Sequence, residues 1–359
     1  MAQCLLVGST EPYSGKSAAI LGLASHLQHQ GLSIAYGKPL GSLQDSESID
    51  PDIGFIAKSL GLIESDQAPT LLHLNQQVLL NYLQHPQGHN YLQALQTYIE
   101  QSRAELILLE GPATLAEGKL FGLSLAEMSR QLQAQVLLIA RYHSALVVES
   151  LLNAYYQLNP HLAGVIINDV PEDQLTEVET VIRPYLESQG IPILGVLASN
   201  PTLRSLSVEE LAHHLQAEVL CCADRLDVMV EDFVIGAMNV NSALRYFRKA
   251  EHKAVITGGD RTDIQLAALE TSTYCLILTG KLPLDSRIRA RAEDLEVPVL
   301  SVDLDTFATI ARIEQLFGQV RLHETAKVRA IQELMSRNFD FNRLAQHLNL
   351  TQPLASSKS

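Results

Sequence analysis

Residues 8–17 read Gly-Ser-Thr-Glu-Pro-Tyr-Ser-Gly-Lys-Ser and lie between a short apolar run, residues 4–7, and a stretch with helical spacing. A strand, a loop of small residues, Gly-Lys-Ser and then a helix form an arrangement that holds phosphates. Backbone N–H groups around Gly15 and the positive end of the helix dipole attract phosphate oxygens. Lys16 supplies a cation near the β- and γ-phosphates, and the Ser17 hydroxyl supplies a ligand for Mg²⁺. The stretch therefore predicts a site for ATP and Mg²⁺.

The loop departs from the standard spacing of this motif. G-x-x-x-x-G-K-[ST] requires a glycine at position 10, where this chain has Thr10, and the first glycine is Gly8. Two interpretations are open. The chain belongs to a family with a modified phosphate loop, or the segment is a tight strand-to-helix turn in which Gly-Lys-Ser occurs by accident.

Length and charge limit the classes of function. The chain has 359 residues, enough for two domains, and a net charge of −14. Because such a charge opposes binding through phosphate neutralisation, we expect neither nucleic acid nor an anionic membrane surface as a partner. No window reaches the roughly 18 consecutive apolar residues of a membrane span, and we find no signal segment. Four cysteines without C-x-x-C spacing are typical of reduced thiols. These features predict a cytoplasmic protein.

Apolar strands alternate with helical patterns in the first part of the chain, which predicts an α/β fold with a parallel sheet covered on both faces. Ligands of such sheets bind at the carboxyl ends of the strands. The predicted strands end at Val7, near Tyr36, at Leu109, at Ile139, at Ile167 and near Val196.

A second, smaller α/β unit begins near residue 217, where strand and helix patterns alternate again. We expect a nucleotide-binding domain over residues 1–216 and a second domain over residues 217–335. Residues 336–359 are predicted to form the end of a helix and a frayed tail.

Charged residues at predicted strand ends are candidates for the site. Glu110 either holds Mg²⁺ or faces solvent in a turn. Lys38 either binds the phosphates or a substrate anion, or is a structural or solvated lysine. Asp50 and Asp52 begin a helix, so both are candidate partners of the helix dipole. Asp52 is also a candidate to complete a Mg²⁺ shell with Ser17 and Glu110.

Two further loops carry polar groups at strand ends. The amide of Asn168 offers a donor and an acceptor to a purine edge, although Asn-Asp is also common in turns. In the second domain, the loop Gly258-Gly259-Asp260-Arg261 lies between a strand and a helix. It either forms an anion-accepting concavity with Arg261 as a bidentate partner, or is a structural turn with an Asp–Arg pair.

These motifs resemble the N-terminal half of long bacterial phosphotransacetylases, which is itself similar to dethiobiotin synthetase, an ATPase with a stretched phosphate loop. The helix from His323 to about Leu344 also resembles the segment that ends the second domain of those enzymes, the DRTGG domain. The matching motifs are Ser9–Ser17, Gly37-Lys38-Pro39, Glu110-Gly111, Gly164–Asn168 and Ile256–Asp263.

The resemblance implies a regulatory half that responds to a nucleotide or metabolite and associates into oligomers. Tyr13 stands where the family often has glycine, so its ring either narrows the loop or stacks on a ligand. The acetyl-transferring domain would follow the DRTGG domain, so we do not expect phosphotransacetylase activity. The residues implied in nucleotide binding are Thr10, Glu11, Ser14, Gly15, Lys16, Ser17 and Asn168, with Gly258, Gly259, Asp260 and Arg261 in the second domain, and Lys16 and Lys38 are the candidates for catalysis.

Three functions agree with these patterns. The first is an ATP- and Mg²⁺-binding regulator with slow hydrolysis at most, whose DRTGG domain senses a nucleotide or metabolite or docks a protein partner. The second is an ATP-dependent ligase or carboxylase of the dethiobiotin synthetase type, with Lys38 holding the substrate. The third is a scaffold protein with a degenerate phosphate loop.

Overall fold

A computed structural model describes residues 2–41, 51–86, 90–318 and 324–350 of the chain. The chain divides into two compact units, one formed by Met1–Ser199 with Arg321–Ser359 and the other by Asn200–Val320. Asp50, His323 and the tail after residue 350 lie outside the described residues, so the predictions for them stay predictions. In the part of the chain that the structure describes, no helix is long and apolar enough to cross a membrane.

The first unit is built around a six-stranded parallel sheet in the order β2-β5-β1-β6-β7-β8. Its central strands read as continuous apolar runs because helices cover both faces. The strands are β1 (Gln3–Ser9), β2 (Ile34–Gly37), β5 (Leu106–Glu110), β6 (Gln135–Arg141), β7 (Leu162–Val170) and β8 (Ile193–Ala198), and a separate parallel pair consists of β3 (Leu40–Gly41) and β4 (Leu72–His73).

Helices connect these strands and bury their apolar sides against the sheet. They are α1 (Lys16–His29), α2 (Pro51–Ser59), α3 (Gln76–Gln84), α4 (Leu92–Gln101), α5 (Leu125–Leu132), α6 (Val147–Leu158), α7 (Leu175–Glu177) and α8 (Arg183–Ser188), with a π-helical stretch at Val178–Ile182 between the last two. The α/β class and the parallel sheet predicted from the sequence are confirmed.

The second unit contains a five-stranded sheet in the order β10-β15-β14-β13-β12, in which β10 alone runs antiparallel to its neighbour. Its strands are β10 (Glu218–Cys221), β12 (Asp232–Ile235), β13 (Lys253–Gly258), β14 (Thr273–Thr279) and β15 (Val299–Val302), with an antiparallel pair of β9 (Leu206–Ser207) and β11 (Met229–Val230). Its helices are α9 (Pro201–Arg204), α10 (Val208–Leu215), α11 (Val240–Phe247), α12 (Thr262–Leu269), α13 (Ser286–Asp294) and α14 (Thr306–Gly318).

Helix α10 belongs to the second unit. Its buried residues Val208 and Leu211 pack in one cluster with Ile256 of β13 and Ile313 of α14. The boundary between the two units therefore lies at Asn200, upstream of the boundary predicted near residue 217.

The chain returns to the first unit after α14, through α15 (Thr325–Asn338) and α16 (Phe341–His347). We call these two the return helices. A Cβ placed on Gly22 of α1 would lie 2.7 Å from Met335 Cγ, so α15 and α1 approach each other closely at this glycine. The side chain of Gln332 donates a hydrogen bond of 2.9 Å to Ser25 Oγ of α1. These contacts group α15 with the first unit, whereas the predicted boundaries assigned it largely to the second domain.

The segment between the return helices also extends the sheet. Gly195 of β8 forms an antiparallel bridge with Phe339, and the Asp340 N–H donates to the Leu194 carbonyl at 2.7 Å. The ring of Phe341 stacks on His26 of α1 with centroids 3.6 Å apart. The second unit is thus inserted in the chain between β8 and α15, two elements of the first unit.

Candidate functional site

The loop between β1 and α1 has the backbone conformation of a phosphate loop entering a helix. Gly15 has φ of +94°, a left-handed conformation that favours glycine, and α1 begins at the next residue. The N–H of Thr10 donates to the Ile139 carbonyl at 3.2 Å, which ties the loop to the neighbouring strand β6. Tyr13 also has a positive φ, +56°, although it carries a side chain.

Lys16 is buried at the start of α1 and turns back over the loop. Its Nζ donates a hydrogen bond of 2.9 Å to Ser9 Oγ. Burial lowers the pKa of Lys16 from its ordinary value of 10.5, and the charge of Lys38 acts in the same direction, whereas Glu110 and Glu117 oppose the shift. A desolvated ammonium with few competing charges is suited to bind phosphate oxygens.

Glu110 ends β5 directly beside the loop and is 3% exposed. Its Oε1 accepts a hydrogen bond of 3.1 Å from the Ser17 hydroxyl. Its Oε2 accepts a hydrogen bond of 3.0 Å from the hydroxyl of Tyr36, at the end of β2. A serine hydroxyl and a carboxylate are oxygen donors of the kind that Mg²⁺ prefers, so Ser17 and Glu110 fit the ion that the motif implies.

Asp52, the third predicted metal ligand, contacts Lys38 in the structure. The Lys38 Nζ lies 3.9 Å from Asp52 Oδ2, and Lys38 is buried. Within the described ranges, no group of three or more histidines, cysteines, aspartates or glutamates is arranged to hold a metal ion. Ser17 and Glu110 are therefore the pair that the structure brings together, and the role of Asp52 in metal binding stays a prediction.

Asn168 contacts the phosphate loop from the end of β7. Its amide Nδ2 donates a hydrogen bond of 2.9 Å to the Ser14 carbonyl. A Cβ on Gly15 would lie 2.5 Å from the same nitrogen. The amide donor, one of the two groups that the sequence offers to a purine edge, thus holds the loop in this structure, and the purine contact stays a prediction.

Glu11 and its surroundings form the exposed rim of the site. Glu11 Oε1 lies 2.7 Å from His143 Nε2, at the end of β6; the His143 side chain is exposed, whereas Glu11 is half-buried. Arg141 and Asp169 form a second pair at the ends of β6 and β7, with Nη2 and Oδ2 2.8 Å apart.

The site also contains residues that the sequence analysis did not predict. Tyr36, Glu117 and the pair of Arg141 and Asp169 contact the loop or lie on the strand ends beside it. Glu117 accepts a hydrogen bond from the Ala113 N–H in the loop after β5. These residues could have been found from the sequence because they lie near predicted site residues at the ends of strands, where ligands of parallel sheets bind.

In the second unit, the loop after β13 is closed by its own side chains. Arg261 pairs with Asp263 at 3.1 Å and donates from Nη2 to the Met238 carbonyl at 3.0 Å. Gln265 Nε2 donates to the carbonyls of Gly258 and Gly259 at 2.9 and 3.1 Å. This is the geometry of a turn with an Asp–Arg pair, one of the two interpretations of this loop.

A groove of about 400 Å³ lies beside β12 in the second unit. Tyr246 and Lys249 of the α11 region form one wall, with the Lys249 Nζ 5.9 Å from the centre of the tyrosine ring. Asp232, Phe233, Val234, Ile235, Met238 and Ala250 line the rest of the groove.

Known proteins similar to this chain include whole enzymes about twice its length. The phosphate acetyltransferase of Nitratidesulfovibrio vulgaris is 25% identical over a gapped alignment of 370 positions, and the alignment covers 97% of this chain and 52% of that protein. The phosphate acetyltransferase of Synechocystis sp. is 26% identical over a gapped alignment of 369 positions, which covers the same shares of the two chains. The chain therefore spans about half the length of these curated relatives.

A solved structure of the CBS and DRTGG domains of the regulatory region of Clostridium perfringens pyrophosphatase is also similar. That protein was solved with its activator, diadenosine tetraphosphate. Its sequence is 21% identical, the TM-score is 0.27, and the match covers 48% of this chain and 69% of that chain.

Family profiles match both units. The profile of an AAA domain (AAA_26) matches residues 3–231, and the profile of a DRTGG domain matches residues 210–316. The resemblance inferred from the motifs, a phosphate-loop domain followed by a DRTGG domain as in phosphotransacetylases, is confirmed. Because the first match spans more than half of the chain, the chain belongs to the AAA domain family (AAA_26) and carries a DRTGG domain behind its phosphate-loop fold.

Proposed function

We propose that the chain is a regulatory protein that binds ATP with Mg²⁺ in its first unit. The observation that carries this proposal is the group formed by Lys16 and Ser17, at the start of α1, with Glu110, at the end of β5. Lys16 is buried with its ammonium 2.9 Å from Ser9 of the loop, and Ser17 lies 3.1 Å from Glu110. A buried cation, a helix N-terminus and a pair of oxygen ligands are the parts that a nucleotide triphosphate and its metal require.

The test of this proposal is a calorimetric titration of the chain with ATP in the presence of Mg²⁺. We expect binding in wild type and a loss of at least about tenfold in Lys16→Ala, which corresponds to ~1.4 kcal/mol. Lys58→Ala is the matched control, because Lys58 is an exposed lysine on α2 of the same unit. Equal affinity of wild type and Lys16→Ala would overturn the assignment of the site.

The route from the nucleotide to a regulatory response is proposed to pass through the return helices. Helix α1 carries Lys16 and Ser17 at its first positions and packs along its length against α15. Helix α15 follows the second unit in the chain. If ATP binds more tightly to one position of α1 than to another, it also favours the position of α15 that packs against that α1. Such a difference in affinity between two conformations is what coupling between two sites requires.

Hydrogen exchange tests this coupling. We expect ATP with Mg²⁺ to increase protection of residues 325–338 as well as of the phosphate loop. Lys16→Ala provides the control, since it should show neither change when ATP is added. Protection confined to the loop would mean that ATP binds but that its binding has no effect on α15.

The DRTGG domain is proposed to sense a nucleotide or metabolite or to dock a protein partner. Titration of Lys16→Ala with ATP reports a second site, because the first is disabled. Arg261→Ala should then remove that second site. Arg287→Ala is the matched control, because Arg287 forms a similar exposed pair with Asp285 in the same unit. Absence of a second site would exclude ATP as the ligand of this domain and leave a metabolite or a protein partner.

A ligase of the dethiobiotin synthetase type is a second candidate function. Lys38 favours it, because this lysine is buried, pairs with Asp52 and acts electrostatically on Lys16. Phosphoryl transfer to a carboxylate or carbamate requires mainly positioning and charge neutralisation. Release of ADP that depends on a diamino acid together with bicarbonate would support this function over the regulatory one.

A scaffold protein with an inactive loop is the third candidate. Self-association is part of both the regulatory and the scaffold proposals. Sedimentation of wild type and Lys16→Ala, each with and without ATP, separates them. A scaffold assembles identically under all four conditions, whereas a regulator changes its assembly with ATP in wild type alone.

A further inference from the structure

Two hydroxyl groups hold the Glu110 carboxylate from opposite sides. Oε1 accepts from the Ser17 hydroxyl at 3.1 Å, and Oε2 accepts from the Tyr36 hydroxyl at 3.0 Å. Glu110 is 3% exposed and Tyr36 is fully buried. In such an environment each hydrogen bond fixes the direction of one carboxylate oxygen.

The backbone around Tyr36 is tightly packed. Its carbonyl accepts a hydrogen bond of 2.8 Å from the Ala68 N–H, and Tyr36 forms an isolated bridge with Gln67. On the other side, β2 pairs with β5, with Tyr36 opposite Leu108. A Cβ on the next residue, Gly37, would lie 2.5 Å from the Ala68 Cβ. The phenol is therefore presented to Glu110 from a rigid strand.

We infer that Tyr36 is a positioning residue that orients Glu110 for Mg²⁺. By holding Oε2, the tyrosine directs Oε1 toward Ser17 and the phosphate loop. The inference rests on the proposed function, since it assumes that ATP is bound with Mg²⁺ at Ser17 and Glu110. Partners that hydrogen-bond to a metal ligand fix its orientation, and their loss typically weakens metal affinity by roughly 10- to 100-fold.

A purely structural role predicts a different result. A buried carboxylate oxygen needs a hydrogen-bond partner, and Tyr36 supplies one whether or not a metal binds. Loss of that partner would lower stability but would affect ATP alone and ATP with Mg²⁺ equally. The two roles therefore differ in the Mg²⁺ dependence of ATP binding.

The experiment compares wild type with Tyr36→Phe, which removes only the hydroxyl. ATP affinity is measured by calorimetry over a series of Mg²⁺ concentrations and in excess chelator. We expect the half-saturating Mg²⁺ concentration to rise by roughly tenfold, with little change in affinity for ATP in chelator. Tyr142→Phe is the control, because Tyr142 is also a buried tyrosine of the first unit.

A double variant shows whether the effect acts through Glu110. The double variant Glu110→Gln with Tyr36→Phe should show the same Mg²⁺ dependence of ATP binding as Glu110→Gln alone. Unaltered Mg²⁺ dependence in Tyr36→Phe would overturn the inference, and so would an equal loss in chelator or in the Glu110→Gln background. If wild type binds no ATP at all, the proposed function fails, and that failure is distinguishable because Tyr36→Phe plays no part in it.

A second measurement applies if Tyr36→Phe does not fold. 3-Fluorotyrosine introduced at position 36 keeps the ring and the hydroxyl. We expect its fluorine resonance to shift when Mg²⁺ is added to the ATP complex, and not to shift in Glu110→Gln. A fluorine resonance that does not shift when Mg²⁺ is added, or one that shifts equally in Glu110→Gln, would overturn the inference.

Discussion

The side-chain amide of Asn168 donates a hydrogen bond of 2.9 Å to the backbone carbonyl of Ser14, and so joins the end of β7 to the phosphate loop. Ser14 is 1% exposed, and a Cβ on the following glycine would lie 2.5 Å from the same amide nitrogen. The conformation of the loop and the position of Asn168 therefore depend on each other. Asn168 supports the loop in this structure, and its contact with a purine edge stays a prediction.

We expect Asn168→Ala to weaken ATP, GTP and inorganic triphosphate by a similar factor. One hydrogen bond contributes about 1 kcal/mol, so the loss is about fivefold for each ligand. Calorimetric titrations of the three ligands measure it, and Asn153→Ala on the exposed face of α6 is the control. A loss confined to ATP, with triphosphate unchanged, would show that Asn168 binds the adenine after all.

ATP binding is expected to take up protons at alkaline pH. The pKa of Lys16 lies below 10.5, mainly because of burial, and bound phosphates raise it by favouring the ammonium. Between the lowered pKa of the free chain and the higher pKa of the complex, binding therefore adds a proton, and affinity falls as pH rises through the lowered pKa. Titrations in buffers of different ionisation enthalpy measure this uptake.

Lys16→Arg is the control for this proton linkage, because a guanidinium stays charged throughout the range. Wild type should show an observed binding enthalpy that varies with the buffer, and the arginine variant should not. If both proteins respond to the buffer equally, the protons come from a different group.

The left-handed backbone of Tyr13 is expected to cost stability. Tyr13 has φ of +56° in a conformation that costs a residue with a Cβ roughly 1–2 kcal/mol relative to glycine. Tyr13→Gly and Tyr13→Ala both remove the ring, which is 55% exposed, and only the first relieves the backbone. Chemical unfolding should therefore show the glycine variant to be more stable than the alanine variant by about 0.5–1 kcal/mol after the entropy of glycine is subtracted. Equal stabilities would show that the loop relaxes around the side chain.

Close contact with α15 is expected to make Gly22 intolerant of alanine. A Cβ there would lie 2.7 Å from Met335 Cγ and 3.3 Å from Ile331 Cγ1. Overpacking of this kind costs about 1–3 kcal/mol, although alanine ordinarily stabilises a helix interior. Thermal unfolding of Gly22→Ala should show a loss of stability, and the same change should cost less in a Met335→Ala background than in wild type.

The matched control for Gly22 is Gly54→Ala. Gly54 lies within α2, and a Cβ there would meet nothing within 4 Å. This variant should be more stable than wild type by about 0.5–1 kcal/mol, the ordinary helix preference for alanine. If Gly22→Ala and Gly54→Ala both stabilise, the approach of α15 to α1 is looser than described.

The sheet of the first unit could be predicted because its strands are short, apolar and followed by helical spacing. Val7 and Ile139 show this pattern, and Glu110 and Asn168 follow it at strand ends, where the site was expected. Helix α11 was not predicted, although its buried residues include Ala243 and Phe247 at helical spacing. A short apolar pattern between loops is only weak evidence for a helix, because a short strand gives a similar pattern.

Contacts between residues far apart in the chain could not be predicted from the sequence. A tyrosine inside an apolar strand looks like a core residue, and nothing local indicates that Tyr36 reaches Glu110 on β5. The apolar side of α15 predicts burial but does not say against what, and its partner α1 lies at the other end of the chain. The boundaries of the two units depend on that contact, so they could not be predicted from composition.

The order in which the chain is synthesised has a consequence for the first unit. Helix α1 leaves the ribosome early, whereas the helix that covers it at Gly22 is made only after the whole second unit. The second unit is continuous in the chain, so all of its strands are available before the first unit is complete. During translation, domains generally fold as units once their residues have emerged. The first unit, although it begins before the second, is therefore completed after it, and α1 lacks its contact with α15 until the second unit has been synthesised.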